Sequence, residues 1–336
     1  SMTNNGIISN TGDYGIYLED PETGLYNSPA GKIENAGNYG IYLNEGTKVK
    51  NNGLVANSGK FGIYINNGEA VNNGTVENKD NFGIYALGRE AVFENNGTVK
   101  NIGNYGLYSG SGAKIVNNAG SIIENTGNYG VYAEGNGSTA ENKGIVKNGS
   151  AYGMFAKDGG KVVNSINAEI SNRTDYGMYV EGTGSIAQNE GIIKNTGNRG
   201  IQAVSGSEGI NSGTGIIQNT GNVGMYSESG SNITNFGRIE NDGSHGMYII
   251  NGGTAENAGT ITNKKDSGIT VSGADSLVKN GETGIISNNG KYGMNISDSA
   301  TGINEGLIAN NGMLGMHVKN KAQGYNYGTI SNTQDN

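Results

Sequence analysis

Hydrophobic residues in this chain recur at a fixed interval and in short runs only. A β-branched aliphatic follows a glycine by two residues, and an asparagine follows the aliphatic by two. This string, Gly-x-(Ile/Val)-x-Asn, starts at positions 6, 31, 53, 74, 97, 121, 144, 168, 191, 215, 237, 259, 284, 306 and 328. Ser121 and Ala168 stand in for the glycine in two of these. From 6 to 328 is 322 residues in 14 intervals, a mean of 23. Self-similarity at such a period is the signature of a solenoid, whose units cannot bury their own apolar face and must stack. The unbroken register predicts one continuous repeat domain over residues 1–336.

Three strand-like pieces fit into each unit. The first carries Ile8, Ile33, Val55, Val76, Val99, Ile123, Val146, Ile170, Ile193, Ile217, Ile239, Ile261, Ile286, Ile308 and Ile330. All are β-branched, as suits the interior of a packed strand. The second reads Tyr-Gly-Ile-Tyr in many units, for example Tyr14-Gly15-Ile16-Tyr17. The third is looser and ends in Asn-x-Gly, as in Asn51-Asn52-Gly53. Turns rich in Gly, Asn, Asp and Ser separate the pieces. The predicted fold is therefore all-β: a single-stranded right-handed parallel β-helix of about 14 coils with ~23 residues per coil. At about 4.8 Å per coil it would form a rod on the order of 65–70 Å long.

The asparagine two residues after each aliphatic, from Asn10 and Asn35 to Asn310 and Asn332, is missing from no unit. A side-chain amide can donate to one neighbouring coil and accept from the other, so this column reads as a structural ladder without a ligand role. In Tyr-Gly-Ile-Tyr, strand alternation turns Ile16 and its equivalents inward and the next residue outward. Tyr17, Tyr42, Tyr64, Tyr85, Tyr108, Tyr132, Phe155 and Tyr179 then form an aromatic stripe. The stripe stops at Gln202 and resumes at Tyr226 and Tyr248. By the same alternation Tyr14, Tyr39, Phe61, Phe82, Tyr105, Tyr129, Tyr152 and Tyr176 belong with the core, at the edge of a turn. Like aromatics stacked between coils would stabilise strand pairing, and an exposed aromatic strip would also make a docking surface. Two coils run long. Their extra residues are expected in surface loop insertions at 19–29, which holds both prolines, and at 273–283.

Composition narrows the functions. The chain has 61 glycines and about 53 asparagines, and these poor helix formers exclude a long helical protein. No apolar run reaches the ~18 residues of a membrane-spanning helix, so direct membrane insertion of this segment is not expected. A net charge of −8 disfavours nucleic acid. With no cysteine no disulfide can form, with only two histidines a multi-histidine metal centre is not expected, and no metal or cofactor is expected. No GxGxxG, P-loop, GxSxG, HExxH or GGxGxD motif is present. Acids recur in no fixed pair, whereas β-helical polysaccharide-active enzymes need converging carboxylates. Catalysis is accordingly the least favoured alternative, and no catalytic residue is assigned.

The units Asn-x-Gly-x-Ile-x-Asn-x-Gly-Asn-Tyr-Gly-Ile-Tyr, as in Asn95 to Tyr108, resemble the passenger repeats of large type V autotransporters. They are most similar to those of the giant surface adhesins of fusobacteria. The resemblance covers nearly the whole chain. It implies a β-helical passenger that folds outside the cell, held at the outer membrane by a C-terminal barrel lying outside this sequence. Absence of cysteine fits that route, and no export signal is visible behind Ser1-Met2. The repeat is already running at Asn4 and still running at Asn332, so a longer array is expected. The function implied is adhesion by surface contact to a protein or glycan on host or bacterial cells, by a monomer. The alternative is a spacer with no binding of its own. The residues expected to make contact are Tyr17, Asp20, Glu22, Tyr26, Tyr42 and Tyr64.

Overall fold

The computed structural model describes residues 1–333. The fold is an all-β parallel β-solenoid of about 14 turns, repeated about every 23 residues. The chain divides into two compact units, Ser1–Ser171 and Asn172–Asn336. In both, each strand pairs in parallel with its equivalents one turn away, so the three pieces of every unit build three sheets.

In the first unit, the piece carrying the β-branched aliphatic forms the strands Lys32–Asn35, Leu54–Asn57, Thr75–Asn78, Thr98–Asn101, Ile122–Asn125 and Ile145–Asn148, paired in that order. Like residues face like: Val76 pairs with Val99, and Asn78 with Asn101. Each aliphatic from Ile33 to Ile170 is fully buried, whereas Ile8 on the first turn is partly exposed. The core needs side chains from all three sheets, and their sizes compensate within a turn. Phe93 is fully buried on a turn where the third sheet contributes Ala86 beside Ile84, while Ile65 beside Ile63 accompanies Ala70. Large beside small at constant total volume is how a repeating interior stays close-packed.

The second unit repeats the plan with Ile192–Asn195, Ile216–Asn219, Arg238–Asn241, Thr260–Asn263, Ile285–Asn288 and Leu307–Asn310. Ile193 and Ile217 are fully buried. Here glycine also serves as a core residue. A Cβ on Gly302 would lie 2.4 Å from Ile296 Cδ1, so the isoleucine occupies the space a side chain would take.

Strict alternation fails at one corner of every turn, and this corrects the side on which the Tyr14 column lies: its rings stand outside the sheet, where Phe61 and Phe82 are nevertheless buried among their neighbours. Tyr14 pairs with Tyr39 and Ile16 with Ile41, but the glycine between them drops out of the pairing. Gly15 turns inward instead, where an added Cβ would lie 2.5 Å from the carbonyl oxygen of Gly40 and 3.2 Å from Ile33 Cγ2. Two consecutive residues, Gly15 and Ile16, therefore face inward, and Tyr14 is left on the outside. Only glycine permits that approach of one turn's backbone to the next.

The segments expected as loop insertions contain regular strands. Gly24–Asn27 lies within 19–29 and pairs with Met2–Asn4 and Lys48–Asn51. Leu277–Asn280 lies within 273–283 and pairs with Thr254–Asn257 and Thr301–Asn304. The extra residues are spread over ordinary corners. Asn27 and Lys32 are joined by a four-residue turn, where Asn51 and Leu54 need only Asn52-Gly53. Solenoid corners absorb such differences because strand register is set by the strands themselves.

Candidate binding face

Two asparagine ladders hold the corners. The expected one runs along the second sheet: Asn57 Nδ2 donates to Asn78 Oδ1 at 3.0 Å, Asn78 to Asn101 at 3.1 Å and Asn101 to Asn125 at 2.9 Å. The remaining donor closes the corner, as when Asn57 Nδ2 donates to the Phe61 carbonyl at 2.8 Å. A second ladder, which sequence reading did not single out, runs through the asparagine ending each first-sheet strand. Asn51 donates to Asn72 at 2.7 Å, Asn72 to Asn95 at 2.8 Å and Asn95 to Asn117 at 2.7 Å. The second unit has both, for example Asn195 to Asn219 and Asn211 to Asn235, each at 2.8 Å. These rungs all donate toward the C-terminal turn. At the third corner the backbone takes the left-handed conformation, at Ser111 (φ 54) and Asp158 (φ 49) for instance, and buried serines accept the freed amides. Gly112 N donates to Ser138 Oγ at 2.9 Å, and Gly206 N to Ser231 Oγ at 3.0 Å. The laddered amides and the serine hydroxyls at these corners are thus satisfied in series, and the corners are structural.

Outside the third sheet of the first unit lies a double column of rings. Tyr14, Tyr39, Phe61, Phe82, Tyr105 and Tyr129 stack in sequence with centroids 4.6–5.2 Å apart. Tyr42, Tyr64, Tyr85, Tyr108, Tyr132 and Phe155 stack beside them, 4.6–5.3 Å apart. The columns meet mostly edge to face, as Tyr39 and Tyr42 do at 5.2 Å and 83°. Stacked and edge-to-face pairs of this kind are worth about 0.5–1.5 kcal/mol each beyond burial. The stacking has a functional consequence. Rings inside the array give their faces to one another and show only edges and hydroxyls to solvent. Exposure falls along the stripe, from 44% at Tyr17 to 7% at Tyr132. Burial raises the phenol pKa of Tyr42, Tyr64 and Tyr85 above 10, and neighbouring phenols or, for Tyr85, Glu134 add to the effect. Tyr108 is raised further, because its hydroxyl also donates to Glu134 at 2.6 Å.

In the second unit other residues keep the columns closed. The Arg199 guanidinium lies 3.6 Å from the centroid of Tyr226 and 5.9 Å from that of Tyr176, so a planar cation replaces a ring. It also donates to the Gln202 amide oxygen. His245 stands 4.8 Å from Tyr248, with its Nδ1 3.1 Å from Thr270 Oγ1. Burial lowers its pKa below 6.5, against an opposing pull from Asp266.

The six residues proposed as contacts from sequence are not equivalent. Tyr17 is exposed beside Tyr42, and Tyr42 and Tyr64 are half-buried within the array. Asp20 and Glu22 lie on the exposed turn between Tyr14–Leu18 and Gly24–Asn27. Tyr26 stands on a different sheet, 38% exposed. Among the described residues no three of His, Cys, Asp or Glu gather into a metal-ligand set. Fold and surface together define a β-solenoid repeat protein with laddered corners and an aromatic outer face. In comparisons with known proteins, no family model, no curated protein and no solved structure matches the chain.

Proposed function

We propose that the chain is an adhesion segment of a cell-surface autotransporter passenger, attaching to host or other bacterial cells by surface contact without catalysis. The observation that carries this reading is the outer aromatic face of the first unit, where Tyr14 and Tyr17 are both more than a third exposed. Tyrosine brings large contact area with a polar tip at low entropic cost, which favours it at recognition surfaces. A scaffold whose corners are closed by its own ladders presents those rings with little freedom left to lose on binding.

A second reading, a spacer with recognition elsewhere in the parent protein, is favoured by the mutual stacking that occupies most ring faces. Binding of the purified chain to host and bacterial cells distinguishes the two, measured beside the Tyr42→Ser/Tyr64→Ser variant. Adhesion predicts saturable binding that the variant weakens at a temperature where both proteins remain folded, since loss of stacked rings also lowers its melting temperature. Absence of binding by the unaltered chain would leave the spacer reading standing.

A further inference from the structure

Tyr26 is set apart from the third-sheet rings because, among the described residues, no other ring stacks on it, and it is 38% exposed. It projects outward from the first-sheet strand Gly24–Asn27, and its in-register neighbours, Thr3 and Lys50, carry no ring. Beside it the strand has no side chain at its other outward position, since Gly24 stands where the next two turns carry Lys48 and Glu69. A Cβ on Gly24 would touch only the Lys48 carbonyl, at 3.4 Å. The outcome is a hollow of about 360 Å³ lined by Thr3, Gly24, Tyr26, Lys48, Lys50 and Glu69, among others.

Its charge is unusual for a chain of net charge −8. Lys48 is paired with Glu69 at 2.9 Å, both well exposed. Lys50 has no ion-pair partner among the described residues. A tyrosine with no ring stacked on it, a vacant outward position and an ammonium without an ion-pair partner thus meet in one depression. A pyranose ring can lie with its C–H face against a tyrosine, a carboxylate on that ring can reach the ammonium, and ring hydroxyls can donate to Glu69. A charge-assisted contact of this kind is about twice as strong as a neutral hydrogen bond. A neutral sugar would keep the stacking and lose that contact.

We infer that Tyr26 and Lys50 form a subsite for a carboxylated pyranose, a uronate or sialate residue of a surface glycan; this rests on the adhesion reading above. The test is calorimetric titration of the full chain with glucuronate-terminated and sialate-terminated oligosaccharides, each beside its neutral counterpart. The inference expects one acidic series to bind at least tenfold more tightly than its neutral counterpart, and to weaken as salt is added. Lys50→Gln should lose that tenfold preference, and Tyr26→Ser should lose binding of both forms, each at unchanged melting temperature. Equal affinity for acidic and neutral sugars, no binding of either, or an unaltered preference in Lys50→Gln would overturn it. The same sugars are then used as competitors in the cell-binding assay. If the chain adheres to cells and the free acidic sugar does not compete, the subsite falls and adhesion stands. If the sugar binds and the chain adheres to no cell, the subsite stands and adhesion falls.

Discussion

Replacing one rung of an asparagine ladder should cost far more than its single side chain suggests. Asn101 is 1% exposed, accepts from Asn78 at 3.1 Å and donates to Asn125 at 2.9 Å. In Asn101→Ala the Asn78 amide N–H loses its acceptor and Asn125 Oδ1 loses its donor. Asn78 Nδ2 is left with only a long contact, 3.5 Å, to the Lys60 carbonyl. A buried polar group left unsatisfied costs about 1–3 kcal/mol, and two are created, so about 2–4 kcal/mol is expected after partial relaxation. Asn101→Asp should be worse at neutral pH. Its carboxylate can still accept from Asn78, but it faces Asn125 Oδ1 without a proton to donate and carries a buried charge. Burial would raise that carboxyl's pKa above its unfolded value. The loss is therefore largest above the folded pKa and shrinks as pH falls through it, when the acid regains a donor. Urea denaturation followed by far-ultraviolet circular dichroism measures both variants. Asn96→Ala is the control: Asn96 donates to Asn73 at 2.8 Å on the exposed surface, and its loss should stay within about 0.5 kcal/mol. An Asn101→Ala variant as stable as Asn96→Ala would refute the internal ladder as a source of stability.

The inward corner glycine gives a second test. Gly106→Ala would set its Cβ 2.4 Å from the Gly130 carbonyl oxygen and should destabilise by about 2–3 kcal/mol, whereas Gly6→Ala meets nothing within 4 Å and should be neutral in the same denaturation series. His245 predicts a pH dependence. Its folded pKa lies below the unfolded 6.5, so stability is full above 6.5 and falls as pH drops from there toward the folded value. His245→Gln should flatten that part of the melting-temperature profile, and an unchanged profile would contradict the assignment. The raised phenols act at the other end. The unfolded chain ionises near 10 while Tyr108 and Tyr132 stay protonated, so stability should fall as pH rises beyond 10. Ultraviolet titration should show a group of tyrosines ionising only with unfolding.

How much was legible in the sequence depended on whether spacing stayed constant. The aliphatic and the asparagine of the second-sheet strand keep a two-residue separation in every unit, so Val99 and Asn101 could be assigned inside without knowledge of the turns. The second ladder escaped notice because its asparagine is followed by corners of different length. Asn51 precedes a two-residue turn and Asn27 a four-residue one, so no single string marks the column. These same corners took up the residues expected to bulge at 19–29 and 273–283. The Tyr14 column was misplaced because alternation was carried through a glycine. The signal was present in Tyr-Gly-Ile-Tyr, since a glycine between two bulky residues on every turn marks a close backbone approach. At the binding face, Tyr17 and Tyr42 could be found as outward residues of the stripe. Their stacked geometry could not be seen, because it depends on the neighbouring column also lying outside. The hollow at Gly24 was equally hidden, as it arises from three turns meeting at one outward position.

Adhesion is tested most directly by titrating the purified, labelled chain onto intact host and bacterial cells and measuring bound label at equilibrium. Adhesion by surface contact predicts saturable binding to at least one cell type, displaced by unlabelled chain and weakened by Tyr17→Ser and by Tyr26→Ser at a temperature where both variants remain folded. Binding that never saturates, or that survives both substitutions together, would contradict it.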